Sequence, residues 1–494
     1  MAKAATSTKS TKKKSTSAAK TSAANSASGA QKKKPGEERQ PWRRADGKVD
    51  AFRVLAERLA NGEQVIPPRM LTGQARREHV RSTLREDHAT RIANRAPGAA
   101  NKFDTLAGDY FKFFRGTALL FYRDLVGEDA AMPTVMALGD VHPENFGVMP
   151  DANGAPIFGV NDFDETIYAP FTWDIKRGAV GFWVATDMVS AMKRKKRRKV
   201  VAKFVKGYLK AMKTYARHSN EEHDAFRLNN SPEVIQRLFE EAWEERRDWL
   251  WDDYLKPNGR GFRSDDELQP LSSEKEKFQK AVNELAERKG FDVPDRAGEL
   301  KVKDVCVRHG QGTASLGLPR YYVLIEGPSK DATDDIIIEF KRARLSALEG
   351  LTPPSDFNAG SKADRIAHGQ SVQLAHGDIF YGAVEIDGES FMSRERAPFR
   401  DDIDIDELSY KTWKKYAKAC GAALAQAHAR SDDLGQIDYD VEPAILEATR
   451  PRHLFIDDIV RFTAEAADRL KKDHRMFRED HANGAFENIE MIYR

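Results

Sequence analysis

The strongest structural signal in the chain is Leu138-Gly139-Asp140-Val141-His142-Pro143-Glu144-Asn145-Phe146-Gly147. The apolar run at 135–138 predicts a short buried strand immediately before it. A second strand, predicted at 157–160, leads into Val160-Asn161-Asp162-Phe163-Asp164-Glu165. Loops that follow strands present their side chains in clefts. Two acidic loops at matched strand ends therefore predict one functional site.

The side chains in these two loops are of the kind that binds a hard divalent metal. Crowded carboxylates repel one another unless protons or a cation lie between them. Asp140 offers a base, Asn145 an amide oxygen and Asp162 a negative ligand. Phosphoryl transfer needs such a set, because a base must accept the proton of the acceptor hydroxyl while Mg²⁺ neutralises the phosphates. The alternative is ordinary turn chemistry, since Gly, Asp, Pro and Asn all favour loops.

The order of these residues resembles that of a known enzyme group. Gly-Asp-x-His-x-x-Asn, followed by a strand and Asn-Asp-Phe-Asp, is similar to the catalytic loop and metal-binding segment of aminoglycoside phosphotransferases and choline-kinase-like enzymes. These enzymes have a protein-kinase-like fold and use ATP and Mg²⁺. The resemblance extends to Trp173-Asp174-Ile175-Lys176-Arg177, where they often carry an Asp that braces the catalytic loop.

Over about residues 45–440 the chain also resembles the bacterial family of domain of unknown function 2252. The matching stretches are Phe113-Phe114-Arg115-Gly116, Gly139 to Gly147, Asn161 to Thr166, and Ala425-Gln426-Ala427-His428-Ala429-Arg430.

The kinase-like resemblance implies a role for each residue of the two loops. Asp140 would be the catalytic base, and Asn145 and Asp162 would be metal ligands. His142 would organise the loop or contact a phosphate. Asp164 and Glu165 would bind a second metal or cap the following helix, and neither alternative is favoured.

A kinase-like enzyme also needs a loop that covers the phosphates and a strand lysine. Gly310-Gln311-Gly312-Thr313-Ala314-Ser315-Leu316-Gly317 separates strands predicted at 302–307 and 320–325, and the next strand ends in Glu339-Phe340-Lys341. The free N–H groups of such a loop can cover phosphates that the lysine pairs with. The cofactor-binding candidates are therefore Gly310, Gly312, Ser315, Gly317, Lys341 and Arg115, of which Arg115 reaches a phosphate or bridges its helix to the loop.

The expected fold is α+β, namely a protein-kinase-like two-lobe fold. Its predicted parts are a disordered basic tail at 1–40, a mainly helical lobe with the catalytic-loop motifs at 41–300, a small β-rich lobe resembling a nucleotide clamp at 301–400, and helices packed on the large lobe at 401–494. Because the β-rich lobe follows the catalytic loop, we expect the fold to be circularly permuted relative to kinases. Glu349 and Gln370 are the candidate partners of Lys341.

Composition limits the classes of protein that this chain can represent. Among the 494 residues, positions 1–34 contain nine lysines and no acid, which leaves 71 Lys and Arg against 77 Asp and Glu elsewhere. This tail cannot bury enough apolar surface to fold, and weak non-specific contact with nucleic acid is the most that we expect of it. No apolar run could span a membrane, no secretory signal is present, and two cysteines build no disulfide framework. We expect a soluble cytoplasmic protein without membrane contact.

Several further residues have two interpretations. The basic run Lys193–Lys199 contacts phosphates or is a solvated helix end, and the second is favoured because seven consecutive charges cover every face of a helix. Arg394 contacts a phosphate or is structural. His428 and Cys420 are expected in the core.

Three functions follow from these observations. The first is an ATP- and Mg²⁺-dependent phosphotransferase, or a related nucleotidyltransferase, that acts on an unidentified small molecule or protein. The second is a metal-dependent phosphoesterase, which would need a downstream Gly-Asn-His-Asp/Glu run that the chain lacks. The third is a non-catalytic pseudokinase or binding protein whose basic tail contacts nucleic acid.

Overall fold

The computed structural model describes residues 48–94, 99–242, 246–290, 297–309, 319–329, 332–355, 357–398, 401–433 and 436–487. These residues belong to one compact unit. The basic tail and Gly310–Gly317 lie outside the described residues, so the expectations for both stay predictions.

Helices make up most of the described chain. They are α1 (Ala51–Ala60), α2 (Gly73–Asp87), α3 (Ala89–Asn94), α4 (Ala99–Gly108), α5 (Tyr110–Gly116), α6 (Ala118–Arg123), α7 (Phe171–Met188), α8 (Arg194–His218), α9 (Glu233–Glu241), α10 (Arg246–Trp249), α11 (Lys275–Lys289), α12 (Lys362–Gln373), α13 (Tyr410–Ala429), α14 (Val441–Ala448) and α15 (Arg452–Ala482). None of the helices in the described segments is both long and apolar enough to cross a lipid bilayer.

The strands form three antiparallel sheets. They are β1 (Thr134–Ala137), β2 (Phe146–Pro150), β3 (Pro156–Val160), β4 (Ile167–Pro170), β5 (Leu268–Pro270), β6 (Val302–Arg308), β7 (Arg320–Ile325), β8 (Ile336–Arg342), β9 (Gly382–Ile386), β10 (Glu389–Arg396) and β11 (Asp401–Asp402). The largest sheet has the order β5-β6-β7-β8-β10-β9, and the smaller ones are β11-β2-β3 and β1-β4. This combination of helices and antiparallel sheets confirms the expected α+β class.

Several predicted elements have different bounds in the structure. The helical pattern from residue 173 to about 218 predicts one helix, but the structure divides it into α7 and α8, because the chain turns at Ala191, whose φ is 43°. The highly charged sequence of residues 230–295 predicts helices, but this region also contains β5, which becomes a strand by pairing with β6. The sequence also did not reveal β2, β4 and β11. All four missed strands are short, and their strand character depends on a partner strand rather than on their own pattern.

The six-stranded sheet is buried on both faces. Val323 and Ile338 pack with Phe278 of α11 on one face. On the other face, Ile337 packs with aromatic side chains of residues 249–254. Because successive side chains of a strand alternate between faces, Glu339 and Lys341 lie on the Ile337 face of β8. The sheet therefore presents the strand lysine on the face opposite α11.

The helical core is organised by the close crossing of α8 and α13. A Cβ atom at Gly207 would lie 2.2 Å from the carbonyl oxygen of Lys418, and one at Gly421 would lie 2.1 Å from the carbonyl oxygen of Phe204. Only glycine allows the two backbones to approach so closely. This contact fixes the position of His428 at the end of α13.

Candidate active site

The backbone of the loop after β1 donates hydrogen bonds to a buried carboxylate. Asp174, in the first turn of α7, accepts hydrogen bonds from the N–H groups of Leu138 at 2.6 Å and Gly139 at 3.0 Å. Gly139 has a φ of 80°, and a Cβ atom there would lie 2.4 Å from the carbonyl oxygen of Glu165. The expected brace is therefore present, and glycine is required where the loop meets the second acidic segment.

Asp174 is itself held by a buried chain of hydrogen bonds. Its Oδ2 lies 3.0 Å from Nε2 of His428, whose Nδ1 lies 2.9 Å from the hydroxyl of Tyr208. Burial raises the pKa of the Tyr208 hydroxyl well above its usual value, so this group keeps its proton. His428 is in the core, as expected, but its contact with Asp174 was not predicted. His428 therefore helps to position Asp174, and through it the loop, although the two residues are 254 positions apart in the sequence.

Asp140 lies in an environment that raises the pKa of its carboxyl. Burial raises the pKa of its carboxyl, the nearby Arg177 opposes that rise, and the resulting pKa is about 6. Arg177 donates to Oδ1 alone, from Nε at 3.1 Å and from Nη2 at 2.8 Å. The guanidinium carbon of Arg177 lies 3.6 Å from the centre of the Phe114 ring, which fixes its plane. Arg177 thus engages one oxygen of the carboxylate and makes no hydrogen bond to Oδ2.

His142 is a neutral part of the loop rather than a cation. It is buried, and burial together with Arg115 and Arg177 lowers its pKa well below the usual range. Its Nε2 lies 3.8 Å from Oδ2 of Asp140. Two roles were considered for His142, and a neutral buried ring is better suited to organising the loop than to contacting a phosphate.

Asn145 connects the loop after β1 with the segment after β3. Its side-chain Nδ2 donates to the carbonyl oxygen of Asp140 at 2.6 Å, and its backbone carbonyl accepts from the N–H of Asn161 at 3.2 Å. The amide nitrogen is therefore used inside the loop, which leaves the amide oxygen as the atom for a ligand. Tyr416 of α13 supports the same loop by donating to the carbonyl of Pro143 at 2.6 Å.

Arg115 bridges helix and loop, which is one of its two expected roles. Its Nη1 forms an ion pair with the carboxylate of Glu144. A guanidinium so engaged ties α5 to the loop after β1.

The second acidic segment reaches the six-stranded sheet. The carboxylate of Asp164 forms an ion pair with Nζ of Lys341 on β8. Burial alone would raise the pKa of Asp164, but the ammonium of Lys341 holds it below its usual value. The observed partner of Lys341 is therefore Asp164 rather than Glu349 or Gln370.

Glu165 contacts residues after β8, which corrects the expectation that Asp164 and Glu165 could cap the following helix. Its carboxylate accepts from the N–H of Ala347 and lies 3.1 Å from Nη2 of Arg344. The next helix, α7, begins after Pro170 and has no side-chain cap. Neither Asp164 nor Glu165 caps it, because the Asp164 side chain pairs with Lys341 on β8 and the Glu165 side chain pairs with residues that follow β8.

The neighbours of Lys341 on the sheet are also paired. Glu339 accepts from Arg394 on the adjacent strand β10 and lies 2.9 Å from Nη1 of Arg320 on β7. Arg394 is thus structural, which was one of its two interpretations. Three strands are joined by this buried group beside the lysine.

The donor set fits Mg²⁺ through few protein ligands. Asn145 supplies an amide oxygen, and Asp162 a carboxylate whose Oδ1 also accepts from the N–H of Asp164 at 3.2 Å. Mg²⁺ commonly uses one or two carboxylates and completes its shell with water and phosphate oxygens. Within the described segments, the three-carboxylate group with ligand atoms inside 4.8 Å is Asp432, Asp440 and Glu442, which lies outside this site.

Comparison with known proteins identifies one family. The family model described as "Uncharacterized protein conserved in bacteria (DUF2252)" matches residues 95–480. The sequence resemblance was expected over about residues 45–440, whereas the match begins at residue 95 and extends to 480. It includes every described residue of the site. No curated protein and no solved structure matches the chain.

Proposed function

The chain belongs to the bacterial DUF2252 family, and we propose that it is an ATP- and Mg²⁺-dependent phosphotransferase of the kinase-like type. The acceptor is the hydroxyl of a small molecule or protein. The observation that carries this proposal is the ion pair between Asp164 and Lys341, which brings a strand lysine to the acidic segment that follows the Asp140 loop.

Asp140 is proposed as the base. A carboxyl group with a pKa of about 6 is ionised at neutral pH and still basic enough to accept a proton from a hydroxyl as the phosphate transfers. Arg177 occupies only Oδ1, which leaves Oδ2 to face the acceptor. The hydrogen bonds that the N–H groups of Leu138 and Gly139 donate to Asp174 keep this geometry without further reorganisation.

Asn145 and Asp162 are proposed as the residues that hold the metal. Mg²⁺ would neutralise the charge that develops on the phosphates during transfer. Asp162 supplies the negative ligand, and the bond from Asn145 Nδ2 to Asp140 orients its amide oxygen. Lys341 would then pair with the phosphates while Asp164 remains beside the metal, as a second ligand or as the partner of the lysine.

The kinase-like two-lobe architecture and its permutation belong to this proposal. The six-stranded sheet would be the nucleotide-binding lobe, with the Gly310–Gly317 segment between β6 and β7 over the phosphates. In the described part of the chain, strands β6 to β10 all follow the Asp140 loop. This order is the reverse of that in kinases, in which the glycine-rich loop and the strand lysine precede the catalytic loop.

Label transfer from ATP tests the proposal directly. The full-length protein is incubated with a cell extract and with ATP labelled at either the γ- or the α-phosphate, in Mg²⁺ or in excess chelator. We expect transfer of the γ-label only, dependent on Mg²⁺ or Mn²⁺ and slowed about 10²–10⁴-fold in Asp140→Asn. Asp252→Asn, a change at an exposed carboxylate, is the matched control.

Two outcomes contradict the proposal. Transfer of the α-label would establish nucleotidyl transfer instead. Metal-dependent binding of ATP without transfer of either label would establish the non-catalytic alternative.

A further inference from the structure

The outer face of α8 carries a continuous row of cations, which we call the α8 stripe. Its members follow one another at alternating intervals of three and four residues, which places them on one side of a helix. They are Lys196, Lys199, Lys203, Lys206, Lys210, Lys213 and Arg217. Six of them are exposed and Lys213 is half-buried, whereas Phe204 and Tyr208 on the opposite side face the core.

The charge of the α8 stripe is not balanced within the helix. Its 25 residues include no Asp or Glu. Across the described segments, none of the seven cations has a carboxylate oxygen within 4.0 Å. Like charges three and four residues apart destabilise a helix, and solvated helices usually alternate charges of both signs. Local stability therefore does not account for the row.

A groove follows the second half of the stripe. A cavity of about 470 Å³ lies between α8 and the start of α15, and its polar lining includes Lys206, Lys210, Lys213, Arg217, His218 and Arg452. Two carboxylates of α15 form ion pairs with arginines of α8 that do not belong to the stripe, and neither lines the groove. Asp468 lies 3.1 Å from Arg194, and Asp457 lies 3.8 Å from Arg198. No carboxylate lines the groove, so it is complementary to an anion.

We propose that the α8 stripe binds the phosphate backbone of a nucleic acid duplex without reading its sequence. The stripe covers 22 residues, and its 21 steps of 1.5 Å give a length of about 31 Å, which corresponds to about nine base pairs of B-form DNA. Its members are all Lys or Arg, and among the described residues the one aromatic ring against them, that of Tyr410 under Lys196 at 5.1 Å, lies at one end of the row. Since proteins that bind single strands stack successive bases on aromatic side chains, a row without interleaved aromatics favours a duplex.

Two other occupants fit the stripe less well. A helix that lies on a membrane inserts its apolar face into the lipid, but the apolar face of α8 is buried against α13 and α7. The N-terminal segment of this chain has nine lysines and no acid in residues 1–34, so its charge has the same sign as the stripe. Binding through α8 does not depend on the proposed phosphotransferase.

The salt dependence of duplex binding tests the proposal. The full-length protein is titrated onto a fluorescent 20-base-pair DNA duplex of random sequence at several salt concentrations, and the slope of log K against log salt is measured. Each phosphate contact contributes about −0.9 to that slope. The fourfold variant Lys203→Gln, Lys206→Gln, Lys210→Gln, Lys213→Gln should reduce its magnitude by about 3 to 4 and weaken binding at low salt by about 100-fold or more.

Two control proteins separate the stripe from net charge and from the tail. The first carries Lys256→Gln, Lys275→Gln, Lys280→Gln and Lys301→Gln, which removes the same charge outside α8 and should leave the slope nearly unchanged. The second replaces the nine tail lysines with glutamine. Its slope of log K against log salt should still include the contribution of the α8 stripe. Melting temperatures confirm that all variants fold.

Three results would overturn the proposal. The first is equal loss of affinity in the α8 and control variants. The second is complete loss of salt-dependent binding in the tail variant. The third is binding to phosphatidylserine vesicles in the absence of binding to the duplex.

Discussion

Lys341 on β8 forms an ion pair with Asp164, although 177 residues separate them in sequence. The pair connects the six-stranded sheet to the segment that follows β3, and the ammonium holds the pKa of the Asp164 carboxyl below its usual value. Both side chains are mostly buried. The contact therefore fixes the position of the sheet relative to the loop that carries Asp140.

Removing Lys341 tests whether this ion pair is functional or only structural. In Lys341→Met, the carboxylate of Asp164 stays buried without its cation, so we expect the free energy of unfolding to fall by about 3 kcal/mol. We also expect the affinity for ATP with Mg²⁺ to fall at least ~10-fold, because the phosphates lose their cation. Urea unfolding and calorimetric titration measure the two effects.

Lys303→Met is the matched control for that variant. Lys303 lies on β6 of the same sheet, and its Nζ is 2.6 Å from the buried carboxylate of Asp335. Lys303→Met should lower the free energy of unfolding by an amount similar to that for Lys341→Met and leave the nucleotide affinity unchanged. If both variants weaken ATP binding equally, the effect of Lys341 on the nucleotide is indirect.

Asp140 and Asp162 should have separable roles. Asp140→Asn removes a base and should lower kcat about 10²–10⁴-fold while ATP binding stays nearly constant. Asp162→Asn removes the negative metal ligand and should weaken binding of ATP with Mg²⁺ itself. Steady-state kinetics and titration at several Mg²⁺ concentrations distinguish them. Unchanged turnover in both variants would show that the acidic cluster is structural.

The pH dependence of the reaction should follow Asp140. The base must be ionised to accept a proton, so log kcat/KM should fall as the pH drops below about 6 and reach a plateau above it. Arg177 lowers the pKa of this carboxyl, and Arg177→Gln, which removes the positive charge, should therefore move the acidic limb to higher pH. A profile that stays flat from pH 5 to 7 would exclude Asp140 as the base.

Gly139→Ala should be far more costly than the same change at Gly388. Both glycines have positive φ, 80° and 76°, and an alanine in that conformation costs about 1–2 kcal/mol. At Gly388 the new Cβ atom meets nothing within 4 Å, whereas at Gly139 it would lie 2.4 Å from a backbone oxygen of Glu165. Urea unfolding should show at least twice the loss at Gly139. Equal losses would mean that the loop can move away from Glu165.

Local pattern was enough to predict much of the scaffold. The apolar runs located β1, β3 and the strands β6, β7 and β8, because a buried strand leaves a short apolar signature wherever its chain packs. The acidic and amide residues after β1 and β3 identified Asp140, Asn145 and Asp162 as candidate site residues. The sequence also shows the spacing of the α8 cations, but it does not show whether that face of the helix is exposed.

Only the tertiary structure decided which charged groups meet. Arg177 with Asp140, His428 with Asp174, and Lys341 with Asp164 lie 37, 254 and 177 residues apart. Periodicity reports which side of an element is buried, but it carries no information about which distant element covers that side. His428 was therefore expected only as a core residue, and Lys341 was assigned the wrong partners. The pKa of Asp140 likewise depends on burial and on a guanidinium from α7, which only the packing of that helix brings to the loop.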